Sequence, residues 1–231
     1  MKSQMQNVRR LYLASLLTLL LAVLGQLSIM RADPNTLNPG GSIIPVASGP
    51  GVSSGAVLLF STNVAWTTAS PSINGTLISD VYSNDANNPY SGLTFTYQLL
   101  LSSNSLHTAD YFAISSYAGI LPIDVTSDGT SSGQAPLLAT RSQASTDGGE
   151  DVNFNFGAGI SPNGQSTVID IDTASGLWFL GIASVTDDLT APNIVTLAPA
   201  IAPVPEPSEI AFMAAGGLFA LGYVRRWRNR N

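Results

Sequence analysis

The chain has no cysteine, one histidine and few charges, with Asp, Glu, Lys and Arg together making up 10% of its 231 residues. Without thiols it can form no disulfide, and it offers neither a thiolate nucleophile nor a thiolate metal ligand. With His107 as its one imidazole it cannot build a multi-histidine zinc site. A Ser-His-Asp triad would have to use His107, with Asp110 orienting it and one of many serines attacking. No G-x-S-x-G elbow supplies that serine. His107 falls in the polar stretch 102–108 between expected strands and reads as a solvated loop residue. Lysine is absent after Lys2, which removes Schiff-base chemistry from the body of the chain. No catalytic residue is assigned, and the chain is read as a non-enzyme that needs no cofactor.

Positive charge is also missing from the middle. Lys2, Arg9, Arg10 and Arg31 lie at the start, and Arg225, Arg226, Arg228 and Arg230 lie at the end. Only Arg141 stands between. Of the 15 acidic residues, only Glu206 and Glu209 lie outside that middle stretch, so the overall charge of −6 hides a strongly acidic interior. Such a surface repels nucleic acid, and it repels anionic polysaccharide unless cations bridge the two.

What is present is concentrated first at the two ends. Lys2, Arg9 and Arg10 precede an apolar run from Leu11 to Leu24, broken only by Ser15 and Thr18. This is the pattern of a secretory signal, placed at 1–32. Cleavage could follow Ala32 or the Val23-x-Gly25 region, and an uncleaved signal anchor is the alternative. At the other end, Pro205 and Pro207 fix φ and remove backbone donors, and Glu206 before a proline is held extended. The stretch 199–209 therefore reads as a stiff spacer. Ile210 to Val224 carries no charge. Its 15 residues are short against the roughly 20 needed to cross a bilayer. Tyr223, Trp227 and the arginine stems extend the span at the interface. Basic residues stay on the cytoplasmic side of membrane segments, so both ends are expected inside and the middle translocated.

Val204-Pro205-Glu206-Pro207-Ser208, the apolar run and the terminal Arg-Arg-x-Arg cluster occur in that order at the extreme C-terminus. Together they resemble the PEP-CTERM sorting signal of Gram-negative bacteria. The resemblance covers the last 28 residues and leaves the middle unassigned. It implies that Pro205, Glu206 and Pro207 are recognised by an exosortase, a membrane-embedded cysteine protease and transpeptidase. Arg225, Arg226, Arg228 and Arg230 would be the basic stop of a C-terminal transmembrane helix at 210–231. The same resemblance implies passage through the inner membrane, a final place at the cell surface or outside it, and an association with exopolysaccharide and biofilm.

Between the ends, Leu93 to Leu99 and Val152 to Phe156 alternate apolar and polar, which puts one face in a core and the other in water. Ile169 and Ile171 are expected to face inward, with Asp170 and Asp172 forming a solvated face. Ala56–Phe60 and Trp178–Val185 are continuously apolar and suit central strands. Asn74-Gly75, Asp128-Gly129, Asp147-Gly148-Gly149 and Ser161–Gly164 read as turns. Strands are expected over 55–61, 76–83, 92–101, 110–117, 121–127, 151–156, 166–172, 177–185 and 194–198. The predicted fold is all-β: an antiparallel β-sandwich over 55–198, with a jelly roll or barrel as alternatives. Residues 33–54, rich in Gly, Pro and Ser, read as a flexible lead-in.

Carboxylates offer the remaining chemistry. Asp147, Glu150 and Asp151 share a short loop and form a calcium candidate, with Asp187 and Asp188 as a second acidic pair. The EF-hand spacing is not met, and acidic turns kept for solubility are the simpler reading. Trp66, Tyr82, Tyr90, Tyr111 and Tyr117 are candidate sugar platforms, although aromatics in alternating strands more often belong to a core. The sequence therefore points to an exported structural or adhesive matrix protein. A carbohydrate-binding module, calcium-dependent or not, is the alternative, and an extracellular hydrolase the third reading.

Overall fold

Alternation along one strand sets the architecture. Over Thr94–Leu101, the side chains of Phe95, Tyr97, Leu99 and Leu101 are buried in one core. The same alternation buries Val152, Phe154 and Phe156 on another strand. Two such faces oppose each other. The computed structural model describes residues 35–47, 51–68, 73–186 and 193–201.

The described residues form twelve strands, in chain order β1 (Ser42–Ile43), β2 (Val46–Ala47), β3 (Val57–Thr67), β4 (Asn74–Ser83), β5 (Thr94–Leu101), β6 (Ala109–Ile114), β7 (Ile123–Ser127), β8 (Leu138–Arg141), β9 (Val152–Ile160), β10 (Ile169–Thr173), β11 (Leu177–Thr186) and β12 (Ile194–Ala200). A single turn of helix, α1 (Ala144–Asp147), lies between β8 and β9. One six-stranded sheet runs β2-β7-β10-β5-β4-β3, and the other runs β1-β8-β9-β6-β11-β12. Every pair is antiparallel except β2 with β7, so the first sheet is mixed rather than purely antiparallel. β3, β4 and β5 form a meander. After that the chain crosses between sheets repeatedly, joining strands distant in sequence, such as β5 with β10 and β6 with β11.

Aromatic rings fill the space between the sheets. Tyr97 of β5 lies 6.0 Å from Phe112 of β6, and Phe112 lies 5.9 Å from Phe154 of β9. The Tyr97 hydroxyl donates to the carbonyl of Leu197 on β12 at 2.6 Å and lies 3.0 Å from the Tyr117 hydroxyl. The Leu197 N–H donates to Ser79 Oγ on β4. Buried polar groups of this kind are stable only when paired, and here they tie the edge strand of one sheet to the interior strands of the other.

The structure departs from expectation at identifiable points. The stretch read as a lead-in supplies β1 and β2, one strand to each sheet, and buries Leu37 completely. Strands of two residues leave no periodic trace, which is why they escaped notice; β8 escaped at four residues. The apolar run at the start of β3 is an edge strand, not a central one, and Val57 to Phe60 are exposed. Phe60 finds a partner in Trp178 of β11, stacked at 5.0 Å. Asn74 and Gly75 open β4 rather than forming a turn. A Cβ at Gly75 would stand 2.7 Å from the Trp66 ring, so the glycine serves close approach across the strand pair. Among the described residues, no helix is long and apolar enough to cross a membrane.

Candidate functional site

The outer face of the first sheet carries an acidic row that the core cannot explain. Asp170 of β10 stands opposite Thr96 of β5, and Thr96 stands opposite Asp80 of β4. One step along, Asp172 stands opposite Thr94, and Thr94 opposite Tyr82. These positions alternate with Ile169, Ile171, Phe95 and Val81, all in the core. The expected solvated face is therefore a correction. Asp170 is 3% exposed and Asp172 is 6% exposed, because chain from outside the sheet covers them.

That cover is a pair of loops pinned to each other. The Ser53 N–H and the Asn87 N–H both donate to Asp85 Oδ1 at 3.0 Å. Ala86 N–H donates to Ser53 Oγ, and Asn87 Nδ2 donates to the Gly51 carbonyl. Beneath them, the Thr94 hydroxyl lies 3.0 Å from Asp85 Oδ2 and 2.7 Å from Asp172 Oδ1, and it accepts from Asn88 Nδ2. A hydroxyl has one proton to give, so this trio holds more acceptors than donors. Burial alone would raise the Asp85 carboxyl, but the Ser53 and Asn87 N–H groups and the two hydroxyls outweigh it and hold its pKa below the ordinary range.

Asp170 has no such support. Both of its carboxylate oxygens are buried without a hydrogen-bond partner, as is Asp80 Oδ1. Burial first, and then the charges of Asp172, Asp128 and Asp85, push its pKa well above the usual carboxylate range. Asp170 lines a cavity of about 250 Å³ whose walls include Asp80, Tyr82, Thr96, Gln98 and Asp128. Gly51 sits against the carboxylate so closely that a Cβ there would meet Asp170 Oδ2 at 2.2 Å. Burial and then the Asp80 carboxylate raise the Tyr82 phenol as well.

Apart from Tyr82, the candidate site residues singled out by sequence lie elsewhere or are otherwise engaged. His107 is exposed in the turn between β5 and β6, and Asp110 Oδ1 accepts from the Thr108 hydroxyl at 2.7 Å. Asp147 Oδ1 accepts from the Ser142 hydroxyl and from the N–H groups of Gly149 and Glu150, closing the turn after α1. Asp151 Oδ1 accepts from the Ser115 hydroxyl at 2.6 Å. Among the described residues, no three or more His, Cys, Asp or Glu are grouped so as to hold a metal ion directly, and Asp147, Glu150 and Asp151 are not brought into such a group. Of the candidate sugar platforms, Tyr117 and Trp66 are buried in the core, and Tyr111 is exposed. Tyr82 belongs to the cavity. Asp187, Asp188, the motif Val204 to Ser208 and Arg225, Arg226, Arg228 and Arg230 lie outside the described residues.

The sole Lys or Arg in the described residues is also accounted for. Arg141, 3% exposed, donates from Nε to the Gly149 carbonyl and from Nη2 to the carbonyls of Tyr117 and Ile120, at 2.6 to 2.8 Å. Burial lowers its pKa from the ordinary arginine value. Comparison with protein-family models, with curated proteins and with solved structures finds no match to this chain.

Proposed function

We propose that the protein is an exported surface or matrix protein of a Gram-negative bacterium, delivered by its two ends and sorted through its C-terminal motif. The observation that carries this reading is the segregation of charge. Every lysine and arginine but one lies in the end segments, and the exception, Arg141, is buried on backbone carbonyls. The described surface thus offers no lysine or arginine at all, as suits a domain that crosses a membrane and stays in solution among anionic polymers.

In this reading Val204-Pro205-Glu206-Pro207-Ser208 is the recognition motif for an exosortase. The run Ile210 to Val224 is a temporary tether, and the terminal arginines are its cytoplasmic stop. The sandwich is the structural or adhesive module left at the surface, in contact with exopolysaccharide.

Intact mass spectrometry of the protein from wild-type cells and from cells lacking the exosortase tests the reading. The expected wild-type product has lost both end segments, while the mutant retains the C-terminal one in the membrane. The same full-length, membrane-retained form in both strains would overturn it.

A further inference from the structure

We propose that the cavity under Gly51 is a site for a partly hydrated divalent cation of the oxygen-seeking class, calcium above all, with Asp170 as its principal ligand. Two observations meet there. The cavity's walls include the oxygen-bearing side chains of Asp80, Thr96, Gln98, Asp128 and Asp170, beside the apolar Val52, Ile78 and Val168. Asp170 lines it, and its carboxylate, 3% exposed and packed under Gly51, has both oxygens buried and without a partner. A buried carboxylate left unpaired is costly, and a cation or a proton is what removes the cost. Among the described residues no lysine or arginine does so, because the one they hold, Arg141, is committed to carbonyls on the other sheet.

The donor set selects the ion. It holds no sulfur and no imidazole, which disfavours zinc and copper, and carboxylate, hydroxyl and amide oxygens suit calcium or magnesium. Gln98 Nε2 donates to the Ser166 carbonyl, which leaves Oε1 as an acceptor. Asp128 Oδ1 is occupied by Thr130, which leaves Oδ2 to contribute. No three carboxylates of the described residues close on one point, so the ion keeps part of its water shell and reaches some of them through water. A cavity of about 250 Å³ has room for that shell. Calcium tolerates irregular shells better than magnesium, and such sites in extracellular modules bind with dissociation constants of about 10⁻⁴ to 10⁻³ M.

The groups facing Asp170 are Asp80 and Tyr82 from β4, Asp85 from the loop after it, Asp128 from the loop after β7, and Asp172 on its own strand. All are acids or a phenol, so their combined field favours a bound cation.

Calorimetric titration of the full chain with calcium chloride, after chelation, tests the site. One saturable site with a dissociation constant of about 10⁻⁴ to 10⁻³ M is expected. A rise in the unfolding midpoint should accompany it. Asp170→Asn should fold but lose both responses, and Glu150→Gln, in the other acidic loop, should keep them. Magnesium chloride should bind more weakly. Equal, non-saturating heats in the wild type and Asp170→Asn, or loss of the response in Glu150→Gln alone, would overturn the assignment. So would binding of a neutral saccharide at this cavity with no response to calcium.

Discussion

Arg141 is a structural ion, spent on holding three separate stretches of backbone. Its guanidinium joins the Tyr117 and Ile120 carbonyls before β7, the Gly149 carbonyl before β9 and, at 3.5 Å, the Leu37 carbonyl ahead of β1. Arg141→Met would keep the apolar bulk and strand these acceptors. A loss of about 3 kcal/mol is expected, since a buried acceptor left unsatisfied costs about 1–3 kcal/mol. Urea unfolding would measure it. Asp170 acts in the opposite sense. Its folded pKa is raised, so the native state holds a proton that the unfolded chain releases above about pH 4. In chelator, the Asp170 contribution should therefore decline as pH rises from about 4 toward its folded pKa, and Asp170→Asn should remove that part of the slope. Unfolding midpoints of the two proteins across this range would show parallel curves if the carboxylate carried no such strain. Sequence did not reveal either role. Arg141 showed only as the one basic residue of the middle stretch, and Asp170 alternated correctly with core residues; what neither pattern can report is whether backbone lies over a side chain from outside its own strand.

Strand length and edge position governed what could be read. β5, β9 and β10 announced themselves, because several alternating residues in a row leave a clear period-two record. β1 and β2 leave none, yet they cap one edge of each sheet. Leu37 lies just before them, with its N–H bonded to the Ile123 carbonyl. Leu37→Ala should cost about 2–5 kcal/mol, the usual range for a buried leucine, whereas a true lead-in would register almost nothing. A denaturant midpoint unchanged by that substitution would return 35–47 to the status of a tether. β3 failed in the other direction. Its apolar run matches a buried strand by composition, but composition cannot tell a strand with neighbours on both sides from one that ends a sheet. The candidate cavity was illegible for a related reason: Asp80, Asp128 and Asp170 are widely separated in sequence, and only the order β7-β10-β5-β4 brings them side by side.

At the scale of the whole molecule, the burial of Arg141 has a consequence for proteolysis. A protease of trypsin type needs a basic side chain to enter its specificity pocket. Between Asp33 and Val204 the chain offers it one, and that one is sealed beneath backbone at the end of β8. Trypsin should therefore trim the basic ends and leave the native body whole. Cleavage at Arg141 should appear only when the fold opens, at a rate set by the population of the open form when closing is fast. Mass spectrometry after digestion with and without denaturant would read this directly, and rapid cutting at Arg141 in the native protein would show that β8 opens locally. The body of such a protein is invisible to enzymes that hunt for positive charge for as long as it remains folded, and the first cut within it would also report that it has unfolded.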